Sequence, residues 1–354
     1  MTETGLKLRA GVGQLRWQLG AAAAAVVAGY AYDGARGASA VAVLSLFETS
    51  LSFDNAIVNA QVMARMSAFW KRIFLVLGVP IATVGMRFAF PILIVALTSH
   101  LGAVTVLRLA LKDPTAYQHH LHEASVAINT LGGTFLLLVF LDFFLRPDEG
   151  RRPWVGPIER ALARFGRIEA FAVAIALVVV YADAQAVAPR SREVMLVSGL
   201  IAVVVHVVAN GTATALSAVG KTVRHAGLAT FLYLEILDAS FSFDGVIGAF
   251  AISDQVVIIC LGLGVGALFV RTLTCYFDRT GTLVRYVYLG NGAHWAVGTL
   301  AAILFVRNSF DVPEPLTASI GLAIIVAAFL SSIRARDGSA ASDSLNVTTT
   351  PIAP

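Results

Sequence analysis

Charge is what this chain has least of. Only 14% of its 354 residues are Asp, Glu, Lys or Arg, where a soluble domain carries about a quarter. That excludes an ordinary water-soluble fold. Cysteine is scarce as well: Cys260 and Cys275 are the only two, fifteen positions apart in one apolar run. A helix would hold them about 22 Å apart, too far to pair. The phosphate-cradling Gly-rich motif with its lysine is absent, which argues against a nucleotide-driven pump. The buried acids lack a Gly-x-Gly-Asp context, which argues against an intramembrane aspartyl protease, and the chain reads as a non-enzyme. The net charge of +4 carries no nucleic-acid signal, because the basic residues lie between apolar runs.

What is abundant is apolar sequence, at 57% of residues with a mean hydropathy of +0.78. Runs of about 20 apolar residues, long enough to cross the hydrocarbon of a bilayer as helices, recur along the chain. Ten stretches qualify: 19–32, 38–60, 70–97, 122–145, 168–187, 193–217, 228–251, 255–277, 286–306 and 314–333. The first is short and Ala-rich and follows Lys7, Arg9 and Arg16, so it is either a span or a cleaved signal peptide. The expected fold is an all-α, polytopic membrane helix bundle of about nine or ten spans. Of the 26 Lys and Arg, 18 fall on the N-terminal side and in alternate loops and six on the other side. Arg87 and Arg271 lie inside spans. This asymmetry places both termini in the cytoplasm and the protein in the cell membrane.

Two stretches echo each other: Phe47-Glu48-Thr49-Ser50-Leu51-Ser52-Phe53-Asp54-Asn55 and Leu237-Asp238-Ala239-Ser240-Phe241-Ser242-Phe243-Asp244-Gly245. Acids match acids and serines match serines at a constant offset of 190. The following spans match at an offset of 184, with Leu77-Gly78-Val79 leading to Arg87 and Leu261-Gly262-Leu263 leading to Arg271. A weaker third echo sets Leu121-His122-Glu123 against the run Leu289-Gly290-Asn291-Gly292-Ala293-His294. The acidic helices are five spans apart and cross the bilayer in opposite directions, the pattern of inverted-topology repeats with a site near the midplane. The chain then divides into an N-terminal segment (1–37), a first repeat (38–145), and a basic cytoplasmic loop with two linking spans (146–227). A second repeat (228–306), a last span (307–333) and a Ser/Thr/Ala-rich tail expected to be disordered (334–354) follow. In the basic loop, Trp154 and Phe165 are expected at the headgroups.

A charged side chain at mid-bilayer costs about 2.5–3.5 kcal/mol, so Glu48, Asp54, Arg87, Glu235, Asp238, Asp244 and Arg271 together face ~20 kcal/mol if unpaired. They must meet one another, water or a cation. Glu48, Asp54, Asp238 and Asp244 are the candidate metal ligands, with Ser50, Ser52, Asn55, Asn59, Ser240, Ser242, Glu235, Arg87 and Arg271 in support. Within each copy the two acids are six residues apart. They converge only if the helix unwinds, for which Gly211, Gly227 and Gly245 leave room, or if the facing repeat supplies the second ligand. All-oxygen ligands favour hard cations such as Mg²⁺, Ca²⁺ or Mn²⁺, while the arginines allow a static ion-pair network instead. The cation would be substrate, and no prosthetic group is expected. His206 with Asn210, and His294, are packing residues or ligands. His119, His120, His122 and Glu123 either collect metal ions at an outer mouth or form a solvated loop. Asp142 and Asp183, at span ends, are given no role.

The Ser-Phe-Asp-Asn-Ala phrase with an acid six residues before its Asp, the second copy and the two arginine helices resemble the TerC family. These are integral membrane proteins named for tellurium resistance and grouped with LysE-like transporters. The Leu-Gly-Asn-Gly-Ala-His-Trp-Ala run at 289–296 looks most like one branch of that group, and the resemblance covers roughly 40–306. It implies handling of a metal ion, with manganese export foremost, and it marks Glu48, Asp54, Asp238 and Asp244 as the motif acids. Gly245 departs from the pattern by standing where the first copy has Asn55. Two function classes stay open: a secondary transporter exporting a divalent cation, and a non-transporting accessory protein in metal or tellurite resistance or enzyme metalation. The latter would have a membrane or secreted protein partner. Oligomeric state is not legible.

Overall fold

A computed structural model describes residues 3–146, 151–166, 170–218, 223–250 and 252–347. Among these residues the regular structure is all helix, with no strand. Six helices are long and apolar enough to cross a membrane, or seven if one bent pair counts as a span. Where they are described, the ten stretches singled out above fall largely within helices.

Helix α1 (Glu3–Leu51) has two arms separated by non-helical backbone at Asp33 and Gly34. Gly34 takes φ 57°, a conformation that favours glycine. Gly29 and Gly37 touch across this turn. Eight residues of straight helix would set them ~12 Å apart, so the chain doubles back and the arms form a hairpin. The second arm breaks at Ser52 and resumes as α2 (Phe53–Met63), bent by 53°. Neither Gly nor Pro causes that break.

The next span is one helical run in three parts: α3 (Ala68–Pro80), a wide π-helical stretch over Ile81–Ala89, and α4 (Phe90–Thr98). Pro80 has no N–H to give the preceding turn, which loosens the ladder where the wide turns begin. A short helix α5 (Ala103–Lys112) leads into α6 (Pro114–Leu145), capped by the Asp113 carboxylate accepting from the Ala116 N–H. After α6 come α7 (Gly156–Phe165), α8 (Phe171–Ala186), α9 (Pro189–Ala218), α10 (Val223–Ala249) and α11 (Val256–Thr280). A single turn α12 (Thr282–Arg285), then α13 (Leu289–Val306) and α14 (Glu314–Val347), complete the chain. α14 continues through 334–347, into the tail expected to be disordered. Its alanines (Ala335, Ala340, Ala341) are strong helix formers that need no apolar period to extend a helix already begun. Residues 348–354 lie outside the described residues.

Lipid resembles the protein core in polarity, so close packing rather than the hydrophobic effect must hold such helices together. α11 supplies it with small residues: the Leu44 side chain sits against Gly262 and the stem of Glu48 against Gly266. One large buried cluster includes Trp70, Phe74, Phe135, Phe231 and Phe241, and another joins Val41, Leu44, Ile92 and Ile259. Large exposed apolar side chains lie elsewhere, on α9 (Leu200, Val204, Val207, Val208) and α14 (Leu322, Val326, Leu330), as faces turned to lipid would.

The two acidic helices run antiparallel. Glu48 lies against Gly245, and Asn55 hydrogen-bonds Asp238 at 2.8 Å, so numbers rise along one helix as they fall along the other. The arginine helices do the same, with Gly78 against Arg271 and Thr83 against Gly264. The repeats are thus inverted and interleaved around one centre.

Candidate functional site

Two ion-pair clusters occupy that centre. In the first, Arg87 on the wide π-helical stretch pairs with Glu48. Its Nη1 also donates to the Ala82 carbonyl at 2.8 Å, five residues back, and Ser52 Oγ donates to Glu48 Oε1 at 2.8 Å. In the second, the Arg271 guanidinium reaches both oxygens of Glu235 (3.2 and 3.1 Å), Asp238 Oδ2 (3.1 Å) and the Phe74 carbonyl (3.1 Å). It lies 4.2 Å above the Phe74 ring. Glu48, Asp54, Arg87, Glu235, Asp238 and Arg271 are all buried. A charge so placed is tolerable only with partners of this quality.

Asn55 and Asn59, one turn apart on α2, both direct their Nδ2 to Asp238 Oδ1, at 2.8 and 3.5 Å. This leaves their Oδ1 atoms buried with no hydrogen-bond donor. Asp54 stands in the first turn of α2, accepting from the Asn55 N–H at 2.9 Å, where the helix dipole favours a carboxylate.

The break at Ser52 has a consequence for the acids. Glu48 and Asp54, which a continuous helix would point about 120° apart, now line one cavity. Its volume is about 30 Å³, enough to admit a water molecule or a small ion. Ser50, Ser52, Phe241 and Gly245 share the lining, and α13 and α14 close it with Thr299 and Thr317. Of the other predicted residues, Ser240 is spent on the Ile236 carbonyl of its own helix and Ser50 on that of Leu46. α10 runs unbroken past Gly227 and Gly245, so the unwinding occurs in the first copy alone. The side chains of Ser242 and Asp244 lie outside the described residues.

The departure at Gly245 acquires a reason. Under the repeat offset, Glu48 corresponds to Asp238 and Asn55 to Gly245, so Glu48 against Gly245 is the counterpart of Asp238 against Asn55. A Cβ at Gly245 would stand 2.7 Å from Glu48 Oε2. The longer acid faces glycine, and the shorter acid faces asparagine.

Sequence reasoning missed other polar groups. Asp142, given no role above, accepts from Asn210 Nδ2 at 2.6 Å and contacts His206 Nε2 at 3.1 Å. A span-end acid here serves a buried histidine as well as Arg146, at 3.5 Å. Asp183 similarly accepts from Asn308 at 2.8 Å. Glu159 passed unnoticed in the basic loop, yet it is buried and takes four N–H donors. These are the backbones of Trp154 and Val155 (both 3.0 Å), Asn291 Nδ2 (2.8 Å) and Trp295 Nε1 (2.9 Å). The Asn291–Trp295 run is therefore a docking cradle, and His294 within it stacks on Phe143 at 3.5 Å. Phe165 stacks on Phe171 at 4.9 Å while staying about half exposed. Cys260 and Cys275 are free thiols on α11.

Apolar helices turned outward, with acids and arginines sealed within, define a multi-pass helical membrane protein with a charged centre. The chain belongs to the family described as "Protein of unknown function (DUF475)", whose model matches residues 53–338. The match takes in α2, both arginines and the whole second repeat, and begins just after Glu48 and Ser52. No curated protein and no solved structure matches the chain.

Proposed function

We propose that this protein is transporter-like and moves a divalent cation, Mn²⁺ or Ca²⁺, through the buried centre by physical passage rather than chemistry. The observation that carries this reading is the charge balance. Among the described side chains, four buried carboxylates, Glu48, Asp54, Glu235 and Asp238, stand with two buried guanidiniums, Arg87 and Arg271. With those six ionised, negative charge is in excess, and a divalent cation would offset it. The donor-less Oδ1 atoms of Asn55 and Asn59 add acceptors that a cation satisfies, and an oxygen-only ligand set suits a hard ion. A purely structural network would be expected to balance its charges. Arg87 and Arg271 act as counter-charges that hold the acids when the ion has left. The resemblance to the TerC family supports manganese and export, and the distribution of Lys and Arg supports a place in the cell membrane with both termini inside. The inverted repeats, 38–145 and 228–306, would each supply half of the path.

Purified protein in liposomes should carry Mn²⁺ or Ca²⁺ down a gradient, read by an entrapped indicator. Asp54→Asn and Asp244→Asn should each abolish that flux while the variants keep the wild-type elution profile. Flux equal to that of protein-free vesicles, or unchanged in both variants, overturns the reading and leaves the accessory role.

A further inference from the structure

The N-terminal end of α6 holds a cluster that the buried centre does not use. His119, His120 and Glu123 share one helix face at i,i+4 and i,i+3 spacing. His120 Nδ1 is 3.1 Å from Glu123 Oε2, and His119 Nδ1 is 3.8 Å from the same oxygen. All three ligand atoms lie within 4.8 Å of one another, and they form the one His/Cys/Asp/Glu group so gathered among the described residues. Ligand atoms around a tetrahedral ion with bonds of about 2.0–2.1 Å stand about 3.3 Å apart. Small side-chain rotations therefore bring the set onto a metal. The two imidazoles are 85° apart in plane, so their nitrogens are free to converge without the rings stacking.

Position gives the cluster a purpose. One turn before it, Tyr117 packs against Phe250 at the end of α10, with ring centroids 6.0 Å apart. The polar pocket of Asp33, Arg36, Ser253, Asp254 and Gln255 opens just beyond that end of α10. The side chains of His119 and Glu123 are 74% and 59% exposed, so an ion reaches them from water and exchanges readily.

We propose that His119, His120 and Glu123 form a surface site for a divalent transition metal at the end of the bundle away from the basic loop. Water fills the open position. Two imidazoles and one carboxylate select borderline ions such as Zn²⁺, Co²⁺ or Ni²⁺ and discriminate against Ca²⁺ and Mg²⁺, which demand oxygen. The ligand chemistry differs from that of the buried oxygen centre, so the surface site does not depend on the transport reading.

The test is a Co²⁺ titration of the full-length protein, free of any affinity tag and in detergent, read by the visible absorption bands of a nitrogen-ligated ion. One equivalent should bind, Zn²⁺ should displace it, and excess Mg²⁺ should not. Binding should persist in Asp54→Asn, which removes an acid of the buried centre. It should weaken by about tenfold or more in the His119→Ala/His120→Ala double variant. Both substitutions are on the surface, and an unchanged melting temperature verifies the fold. Absence of nitrogen-ligated Co²⁺ in the wild type, or equal binding by the double variant, overturns the site whatever the flux experiments give.

Discussion

At the scale of single residues, the centre is organised by side-chain length. Asp238 is short and meets Asn55, whose amide bridges the gap at 2.8 Å. Glu48 is one methylene longer and meets Gly245, where no side chain intervenes. The two positions compensate each other, which yields a prediction about exchange between the repeats. Gly245→Asn alone forces atoms onto Glu48 Oε2 and should destabilise the protein by about 1–3 kcal/mol, the usual cost of overpacking. Combining it with Glu48→Asp recreates the pair already present in the other copy and should recover at least half of the lost melting temperature in detergent. A double variant no more stable than Gly245→Asn would refute the correspondence. The acids themselves were legible in the sequence, because a carboxylate in an apolar run stands out whatever the fold. Their partners were not legible. Asn55 meets Asp238 across 183 positions, a contact that exists only once the repeats have been laid antiparallel.

At the scale of elements, the helices were readable and their interruptions were not. Apolar runs announce spans because length and hydropathy set them directly. The break at Ser52 has no such marker, since the glycines that seemed to permit unwinding lie elsewhere: α9 runs through Gly211, and α10 through Gly227 and Gly245, without a break. The π-helical stretch follows Pro80 but extends nine residues, Ile81–Ala89, further than one missing donor dictates. The strap carrying α7 was hidden for another reason: Glu159 is one acid among many arginines, and its burial depends on Asn291 and Trp295 from far along the chain. That anchoring is testable. Glu159→Gln keeps the shape but replaces one acceptor oxygen with an amide that faces N–H donors, leaving donors unsatisfied at about 1–3 kcal/mol. The strap should open more often, and tryptic cleavage after the exposed Arg160 and Arg164 in detergent should rise roughly tenfold. Unchanged cleavage would mean that the cradle does not hold the strap.

At the scale of the whole molecule, the two ends of one helix mark how the chain is threaded. α11 has 25 residues, a length of about 37 Å that spans the hydrocarbon. Just before it, Gln255 reaches Asp33 at the tip of the α1 hairpin, at 3.3 Å. Near its far end, Asp278 pairs with Lys71 at the start of α3, at 2.8 Å. The first contact ties the second repeat to the N-terminal segment and the other ties it to the first repeat, at opposite ends of α11, so together they mark how the chain is threaded. A membrane-impermeant thiol reagent can read this directly in a background with Cys260 and Cys275 replaced by alanine. Ala35→Cys and Asp254→Cys should be labelled from the same side, and Arg72→Cys and Arg279→Cys from the other. Under the proposed orientation, with the end richer in Lys and Arg in the cytoplasm, intact cells should label only the first pair. Should Ala35→Cys and Asp254→Cys be reached from opposite sides, the antiparallel threading would be lost, and with it the shared centre. For the transport proposed above, inverted halves suit a charged site that opens alternately to two sides, because each half can do on one face what its partner does on the other.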